Sequence, residues 1–408
     1  MRTSTLSIAA LSATAVLSLA ACSSGGSGNS SAAGSSSGGS SSGGGAVSAV
    51  CKSPSTLSSG AAAASSSSAA PVKASGKVGV ILPDTTSSTR YTLYDAPLLT
   101  AAFKAAGLSP DVQNSQASTA KQSQIAQAMI GEGVKVILLD SIDQTSGAAV
   151  EQQAKAAGIK VIDYDRVNLG GSASYYVSFD NEGVGKLQGQ TLADCLASSG
   201  KSKPQVIEMD GGTDVDNNAV LFAKGANEVL KPLANSGKLK IVSESVVKGW
   251  KTANAAPAFT QALTAAGGQV DGVLAANDDI ANAVISVLQQ QGLAGHVVVT
   301  GQDAGIEGLQ NILKGVQTMT IFKDVKQEAN AAAQLAISLI QGQDPASAGL
   351  TLNKFDDPQD SSHNLKALLL PSQVITQQNL QDVVDSGALT KDDICKNIED
   401  ACAKVGLN

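Results

Sequence analysis

From Lys77 onward, short and continuously apolar runs alternate with helical stretches, and this alternation constrains the fold more than any other feature of the chain. The runs with the length and composition of buried strands are KVGVIL (77–82), VKVILL (134–139), IKVIDY (159–164), PQVIEM (204–209), VDGVLAA (270–276) and HVVVTG (296–301). Strands that are apolar throughout are typical of a parallel sheet covered on both faces. The pattern therefore predicts an α/β fold built from doubly wound parallel sheets.

The stretches between these runs have the composition and spacing of helices. The predicted helices are Lys121–Gly131, Ala148–Ala157, Asn218–Leu230 and Asp279–Gln291. Glycines near the helix ends, as in AAGI and QQGL, are typical C-caps that lead directly into the next strand. The units form two tandem sets, 77–179 and 180–301, followed by a helix at 325–340 and a strand at 367–370. The chain is therefore expected to form two lobes.

The N-terminus has the features of an export signal. Arg2 precedes an apolar stretch, 6–21, which is shorter than the roughly 20 residues that span a bilayer. That stretch ends in LAAC, which resembles the bacterial lipobox, so we expect 1–21 to be a lipoprotein signal peptide and Cys22 to carry lipid. An ordinary signal peptide with an incidental Cys is the alternative. Residues 22–76, mostly Ser, Gly and Ala, are expected to be a disordered linker.

Four cysteines remain besides Cys22, namely Cys51, Cys195, Cys395 and Cys402. An exported protein can form disulfides. The short separation of Cys395 and Cys402 favours a local bridge between them. Four cysteines nevertheless allow three connectivities, and the sequence leaves the pairing of Cys51 and Cys195 open.

Charge and composition exclude several function classes. The net charge is -7, which disfavours nucleic acid, and the two histidines, His296 and His363, give little support to His-based catalysis or a His-ligated metal. DVDNN (214–218) opens like a calcium loop, but Ala219 and Gly225 stand where Gly and Glu are needed. GVGKLQG (183–189) lacks the context of a dinucleotide loop. We therefore expect no metal and no cofactor.

Polar side chains follow the predicted strands at the points where the strands end. These clusters are LPDTTSSTRY (82–91), YDR (164–166), MDGGTDVDNN (209–218), AANDD (275–279), GQDA (301–304) and FKD (322–324). In open parallel sheets, ligands bind beyond the carboxyl ends of the strands. Two facing lobes would bring the clusters to one cleft. The mixture of Asp, Asn, Arg and Lys balances acid and base, as recognition of a neutral polyol requires.

Seven stretches carry a more specific similarity. They are YDRVN, YYVSFDNEGVGKLQ, DVDNNAVLF, VLKPLANSGKLKIV, KGW, AANDDIANAVISVLQQQGLAGHVVVTGQDAGIEGLQNILKGVQTMTIFK and LLLPSQVITQQNLQDVV. In these stretches the chain from Lys77 resembles the periplasmic sugar-binding proteins of ABC importers, most closely their D-xylose-binding branch. The resemblance implies two lobes joined by a hinge that the chain crosses three times, one lobe formed by 77–179 and 303–345 and the other by 180–302 and 346–408.

The resemblance also implies a set of sugar-binding residues. These are Arg90, Tyr91, Asp165, Arg166, Asp216, Asn218, Trp250, Asn277, Asp303 and Lys323. Tyr91 and Trp250 would cover the faces of the sugar ring, although the family has Trp where Tyr91 stands. Two readings from the residues alone compete with this one. Asp165 and Arg166 could form a surface ion pair, and Trp250 could belong to the core.

The resemblance implies that the protein captures a monosaccharide outside the cell membrane, with D-xylose as the leading candidate, and delivers it to an ABC permease. It also implies a monomer without enzymatic activity. Arabinose, ribose, glucose or galactose, or a sensory role, are the alternatives. A glycosidase would need one carboxyl kept protonated, whereas each candidate Asp lies beside Arg, Lys or Asn. A sugar-responsive repressor would need a basic DNA-binding segment before Lys77, where the Ser/Gly-rich linker stands.

Overall fold

The computed structural model describes Cys51 and residues 73–407, and the following account refers to those residues. The predicted signal peptide, Cys22 and the remainder of the linker up to 72 lie outside the described residues. The strands, numbered along the chain, are β1 (Lys77–Leu82), β2 (Ser109–Asn114), β3 (Val136–Leu139), β4 (Lys160–Tyr164), β5 (Tyr175–Phe179), β6 (Gln205–Asp210), β7 (Lys240–Val246), β8 (Gly272–Ala275), β9 (Val298–Val299), β10 (Thr320–Phe322), β11 (Asn353–Phe355), β12 (Leu365–Leu370) and β13 (Gln373–Ile375).

Most of the strands are separated by helices. The α-helices are α1 (Ala96–Ala105), α2 (Thr119–Gly131), α3 (Gln144–Ala156), α4 (Asn181–Ser198), α5 (Asn217–Asn235), α6 (Ala255–Ala265), α7 (Asp278–Gln290), α8 (Ile306–Lys314), α9 (Val325–Ile340), α10 (Gln381–Asp385), α11 (Lys391–Cys395) and α12 (Glu399–Val405). A π-helical turn, Tyr91–Asp95, precedes α1, and a short 3-10 turn, Lys248–Trp250, follows β7. The predicted helices and strands are present, with ends displaced by a few residues.

The first lobe contains a seven-stranded sheet in the order β11-β12-β5-β4-β3-β1-β2. Its pairs are parallel except β11 with β12. Helix α9 packs on this sheet through Ala332 and Leu335, which share a core with Val80 and Leu138. Strand β2 was not among the predicted strands, because it is a half-exposed edge strand with Pro110 inside it and lacks a continuous apolar run.

The second lobe contains a parallel sheet in the order β7-β6-β8-β9. A parallel bridge between Gln302 and Ile321 adds β10 beside the end of β9, and β10 pairs in turn with antiparallel β13. Helix α8 packs beneath this extension, since Leu309 and Ile312 share a core with Ile375. The region from Gln302 to Phe322 therefore belongs to the second lobe.

The predicted α/β architecture of two doubly wound lobes is confirmed, but two of the expected lobe boundaries are wrong. The chain crosses between lobes after β5, between β10 and α9, and between β12 and β13. Residues 303–323 lie in the second lobe, because β10 continues the sheet of that lobe. Residues 353–370 lie in the first lobe, because β12 pairs with β5. Strand pairing over long sequence distances decides both assignments, and local sequence carries no signal of it.

Two disulfides lie in the second lobe. Cys395 and Cys402, the pair that the sequence favours, are bridged with their Cα atoms 5.9 Å apart. Cys51 is bridged to Cys195 of α4 and is buried beside Leu196. The structure thus selects one of the three possible connectivities.

Two negative findings hold for the part of the chain that the structure describes. Its helices are all too short or too polar to cross a bilayer. It also contains no cluster of three or more His, Cys, Asp or Glu side chains placed to hold a metal ion.

Candidate functional site

A small cavity lies between the two lobes, at the carboxyl ends of the parallel strands. All ten residues predicted from the sequence line it. They are joined by Ser87, Ser88, Phe222 and Gln302, which were not predicted.

Arg90 forms the centre of a buried ion network in the first lobe. Its Nε and Nη2 donate to the two oxygens of Asp95 at 2.9 and 2.8 Å, and Nη2 also reaches Glu328 at 2.5 Å. Nη1 donates to Asp165 at 3.1 Å. Burial by itself would lower the pKa of Arg90, but Asp165, Asp95 and Glu328 raise it well above the ordinary value. The guanidinium is therefore permanently charged and rigidly held.

Asp165 accepts hydrogen bonds from both aromatic and cationic neighbours. The Tyr91 hydroxyl donates to it at 3.1 Å and accepts from Arg166 Nη2 at 3.1 Å. Burial favours a higher pKa for Asp165, but Arg90, Lys323 and Arg166 lower the pKa below the ordinary value. Asp165 is thus an ionised acceptor. With Arg166 also buried, the pair is not the exposed surface pair considered as an alternative.

The second lobe holds its cavity residues through helix caps. Asp216 is the N-cap of α5, and one of its oxygens accepts from the backbone N–H of Asn218 at 2.8 Å. Asn277 is the N-cap of α7 and accepts from the backbone N–H of Ile280 at 2.9 Å. Capping side chains satisfy the free N–H groups of a first helical turn, so their position is fixed by the helix itself.

Trp250 combines the two roles that the sequence left as alternatives. It lines the cavity, and it also belongs to the hydrophobic core of the second lobe. Its indole Nε1 donates to Asp216 at 2.9 Å, and its ring meets Phe222 edge-on at a centroid distance of 6.5 Å. The ring lies against the backbone of Gly211, where an added Cβ would overlap it. Glycine at 211 therefore allows the indole to approach this closely.

Lys323 and Asp303 form an ion pair of 3.0 Å at the cavity wall. The Lys323 ammonium also lies 5.6 Å from the ring centroids of Phe179 and of Phe222, one from each lobe. Burial lowers the pKa of Lys323, but Asp303 and Asp165 raise it above the ordinary value overall. Lys323 is therefore a charged donor at the point where the chain crosses between lobes.

The lobes contact each other directly around the cavity. Asn218 Nδ2 donates to the backbone oxygen of Asp165 at 2.7 Å, and Asn277 Nδ2 donates to that of Ser87 at 3.3 Å. Thr252 Oγ1 donates to the backbone oxygen of Thr86 at 3.0 Å. These contacts require a small distance between the lobes, so the structure is in a closed arrangement.

Three of the predicted site residues have left-handed backbone conformations. The φ angles are 60° at Asp165, 56° at Trp250 and 92° at Asp303. A residue with a side chain adopts this region at a cost, and such residues cluster at ligand-binding sites. No sequence pattern indicates this feature, because Asp and Trp occur there instead of Gly.

Two buried carboxyls, Glu328 and Asp140, lie behind the cavity residues Arg90 and Arg166 of the first lobe and were not predicted from the sequence. Burial, with Asp165 and Asp95 adding to it and Arg90 opposing it, raises the pKa of Glu328 to about 8. Burial, followed by the charge of Asp165, raises the pKa of Asp140 well above its ordinary value. Asp140 directly follows β3, so the strand-end pattern could have identified it, whereas Glu328 lies within α9 and only the tertiary structure identifies it.

The cavity lining itself has balanced charge, with Asp165, Asp216 and Asp303 facing Arg90, Arg166 and Lys323. Burial raises the pKa of Asp216, and Arg166 offsets this only in part. Charged donors and acceptors around a small volume with Trp250 on one side can bind hydroxyls by hydrogen bonds and cover an apolar ring face.

Comparison with known proteins extends this picture. Residues 78–344 match the family model described as periplasmic binding protein domain. The D-xylose-binding periplasmic protein of Escherichia coli (strain K12) is 37% identical over 273 residues, which cover 67% of this chain and 79% of that protein. The multiple sugar-binding periplasmic protein SbpA of Azospirillum brasilense is 34% identical, with 77% of this chain and 90% of that protein covered.

Two solved structures of sugar-binding transport proteins superimpose on this chain. The carbohydrate transporter solute binding protein of Chloroflexus aurantiacus in complex with D-glucose superimposes with a TM-score of 0.71. It is 28% identical and covers 79% of this chain and 98% of its own. The solute binding protein of Clostridium phytofermentans with bound β-D-glucose gives a TM-score of 0.69 at 29% identity. The second structure covers 78% of this chain and 99% of its own.

Proposed function

Because the chain belongs to the periplasmic binding protein family, we propose that it captures D-xylose. It does so outside the cytoplasmic membrane, as a monomer, and delivers the sugar to an ABC permease. The relatives and solved structures named above are sugar-binding transport proteins and not enzymes. The observation that carries the proposal is the cavity between the lobes, lined from both lobes by a balanced set of charged donors and acceptors.

The residues act on a neutral sugar in complementary ways. Arg90, Arg166 and Lys323 donate to sugar oxygens, and Asp165 and Asp303 accept from sugar hydroxyls. A charge-assisted hydrogen bond contributes about 1.5–3 kcal/mol. Several such bonds supply the −8 kcal/mol or so that corresponds to micromolar affinity, even after the cost of ordering the ligand.

Closure follows from the division of the site between the lobes. A sugar that touches only one lobe gains part of the available interactions, and closure adds those of the other lobe. A shift from mostly open to mostly closed requires about 5.5 kcal/mol of differential binding. Contacts that exist only in the closed arrangement, such as those from Trp250 and Asn277 when the sugar rests on Arg90 and Asp165, provide this difference. The permease would then recognise the closed shape.

D-glucose or another aldose is the second candidate ligand. It is favoured by the glucose complexes of the two superimposed structures and by the name of the multiple sugar-binding relative. Tyr91, where the xylose-binding branch has Trp, could alter the space available for a sixth carbon. A role as a sugar sensor for a membrane receptor uses the same site and the same closure.

Attachment to the membrane through lipid on Cys22 is part of the proposal and rests on LAAC alone. The variant Cys22→Ser is expected to move the protein from the membrane fraction to the soluble fraction. Retention of the variant in the membrane fraction would contradict lipid anchoring and leave the sugar proposal untouched.

Isothermal titration calorimetry with the purified protein and a panel of pentoses and hexoses tests the sugar proposal. We expect D-xylose to bind most tightly, with a Kd in the micromolar range or below. A hexose that binds at least tenfold more tightly would replace D-xylose as the ligand. Absence of heat and of thermal stabilisation with every sugar at millimolar concentration would overturn the proposal.

A further inference from the structure

Gln302 contributes a buried amide to the cavity and has no role assigned so far. It follows β9, and its main chain is fixed, because it bridges to Ile321 and its carbonyl oxygen accepts from the backbone N–H of Asp278 at 3.0 Å. Its side chain is 2% exposed and lines the cavity beside Asp303 and Lys323. Within the described residues, its Oε1 is buried and accepts no hydrogen bond.

The other acceptors of the lining already have donors. Asp165 accepts from Arg90 and Tyr91, and Asp216 accepts from the Asn218 backbone and Trp250. The remaining acceptors are held in the same way: Lys323 contacts Asp303, the Ile280 backbone donates to Asn277, and Asn181 donates to Asn218. A buried acceptor without a donor is unfavourable, so Gln302 Oε1 stands apart from this set.

The orientation of the amide is determined by its neighbour. Gln302 Nε2 faces Asp303 Oδ1 at 3.4 Å, so the amide N–H points to a carboxylate. The flipped orientation would place two oxygen acceptors against each other. The other buried polar atom of the lining without a hydrogen bond, Arg166 Nε, has carboxylate oxygens of Asp216 and Asp140 at 3.5 and 3.6 Å. Gln302 Oε1 has no such compensation.

We propose that Gln302 is a specificity-determining residue, whose Oε1 accepts a hydrogen bond from one hydroxyl of the bound sugar. This inference rests on the proposed monosaccharide-binding function and deepens it. Gln302 would enforce a hydroxyl at one ring position, since a sugar without that hydroxyl leaves the buried oxygen without a donor. Sites built to accept from a hydroxyl reject analogues that lack it.

The test combines two variants with a set of monodeoxy sugars. The parent sugar is the monosaccharide that the wild type binds best, and each monodeoxy sugar lacks one of its hydroxyls. Gln302→Met keeps the approximate volume and removes the acceptor. We expect it to bind the parent sugar about tenfold more weakly than the wild type does. One deoxy sugar should bind the wild type about tenfold more weakly than the parent sugar, and should show no further loss with Gln302→Met. Calorimetry measures each Kd.

Gln302→Glu keeps an acceptor oxygen in the place of Oε1 and sets its second oxygen against Asp303, so it should bind the parent sugar more weakly than the wild type but retain the discrimination against that one deoxy sugar. It also provides the test if Gln302→Met does not fold. The matched control is Gln153→Met, because the Gln153 Oε1 is likewise buried without a donor but Gln153 lies in α3 of the first lobe and does not line the cavity. Its affinity and deoxy pattern should equal those of the wild type.

The possible outcomes separate the two levels of the inference. If the wild type binds a sugar and Gln302→Met has wild-type affinity and an unchanged deoxy pattern, the role of Gln302 is wrong and the proposed function stands. The role is also wrong if Gln302→Glu loses the discrimination. If the wild type binds no monosaccharide, the proposed function itself is overturned.

Discussion

The two walls of the cavity are positioned by different means, although both lie at the carboxyl ends of parallel strands. The wall of the first lobe is held by mutual ion pairs, in which Arg90 contacts Asp95, Asp165 and Glu328 at once. The wall of the second lobe is held by helix N-caps, with Asp216 and Asn277 each bonded to the start of the helix that follows.

This difference determines how far the effect of a substitution spreads. Removal of one member of a buried charge network leaves its partners charged and desolvated, so fold and affinity change together. Removal of one cap or one aromatic contact affects a single helix start or a single packing contact. We therefore expect strongly coupled effects in the first lobe and local effects in the second.

Arg90→Met gives the largest expected effect. It leaves Asp95, Asp165 and Glu328 without their shared cation, and loss of one partner from a buried ion pair costs about 3–5 kcal/mol of stability. Urea denaturation should show a decrease of this size in the free energy of unfolding. The control is Lys77→Met, whose partner Glu132 is exposed, with an expected change of about 0–1 kcal/mol. Equal stability of the two variants would contradict a cooperative network.

Asp165→Asn tests ligand binding in the same wall with a smaller disturbance of the network, because Arg90 keeps Asp95 and Glu328 as partners. Asn tolerates the left-handed backbone at this position but carries no charge. Sugar binding should weaken by about 1.5–3 kcal/mol, the contribution of a charge-assisted hydrogen bond, as measured by calorimetry. Asp356→Asn, at an exposed position in the same lobe, is the control and should bind normally. Wild-type affinity in Asp165→Asn would remove Asp165 from the binding site.

Gly211→Ala tests the wall of the second lobe through Trp250. The added Cβ would overlap the indole, and overpacking of this kind costs about 1–3 kcal/mol. The displaced ring should weaken sugar binding and change the emission of Trp250, the single Trp of the chain. Gly131→Ala, where an added Cβ meets no atom within 4 Å, should leave both unchanged. If saturating sugar does not change the Trp250 emission of the wild type, Trp250 has only a structural role.

The smallest expected effect is a pH dependence of the free energy of unfolding that arises from Glu328. Its folded pKa of about 8 is above that of an unfolded Glu, so the folded state binds more protons. The resulting stabilisation is complete below the unfolded pKa and is lost as the pH rises through 8. Between pH 7 and 8 it should fall by about 1 kcal/mol. Denaturation of Glu328→Gln should lack this component, and an identical pH slope in both proteins would contradict it.

The sequence by itself determined the fold class and most of the residues that line the cavity. Continuous apolar runs that alternate with helical stretches indicate buried parallel strands, because helices cover both faces of a parallel sheet. Residues such as Arg166, which follows β4 directly, are predictable because the carboxyl end of a parallel strand is where a ligand binds. Asn277 and Lys323 stand in such strand-end clusters too, whereas the choice of individual residues, Asp216 among them, followed from the resemblance to sugar-binding proteins.

The tertiary structure decided what depends on contacts distant in sequence. The pairing of β12 with β5 and the bridge from Gln302 to Ile321 moved two lobe boundaries. The link between Arg90 and Glu328 joins residues 238 positions apart, so no local pattern reports it. Backbone strain at Asp165 is equally invisible in the sequence, because the surrounding packing imposes it. Local propensity specifies strands and strand ends, whereas buried charge pairing and strain arise only when distant segments meet.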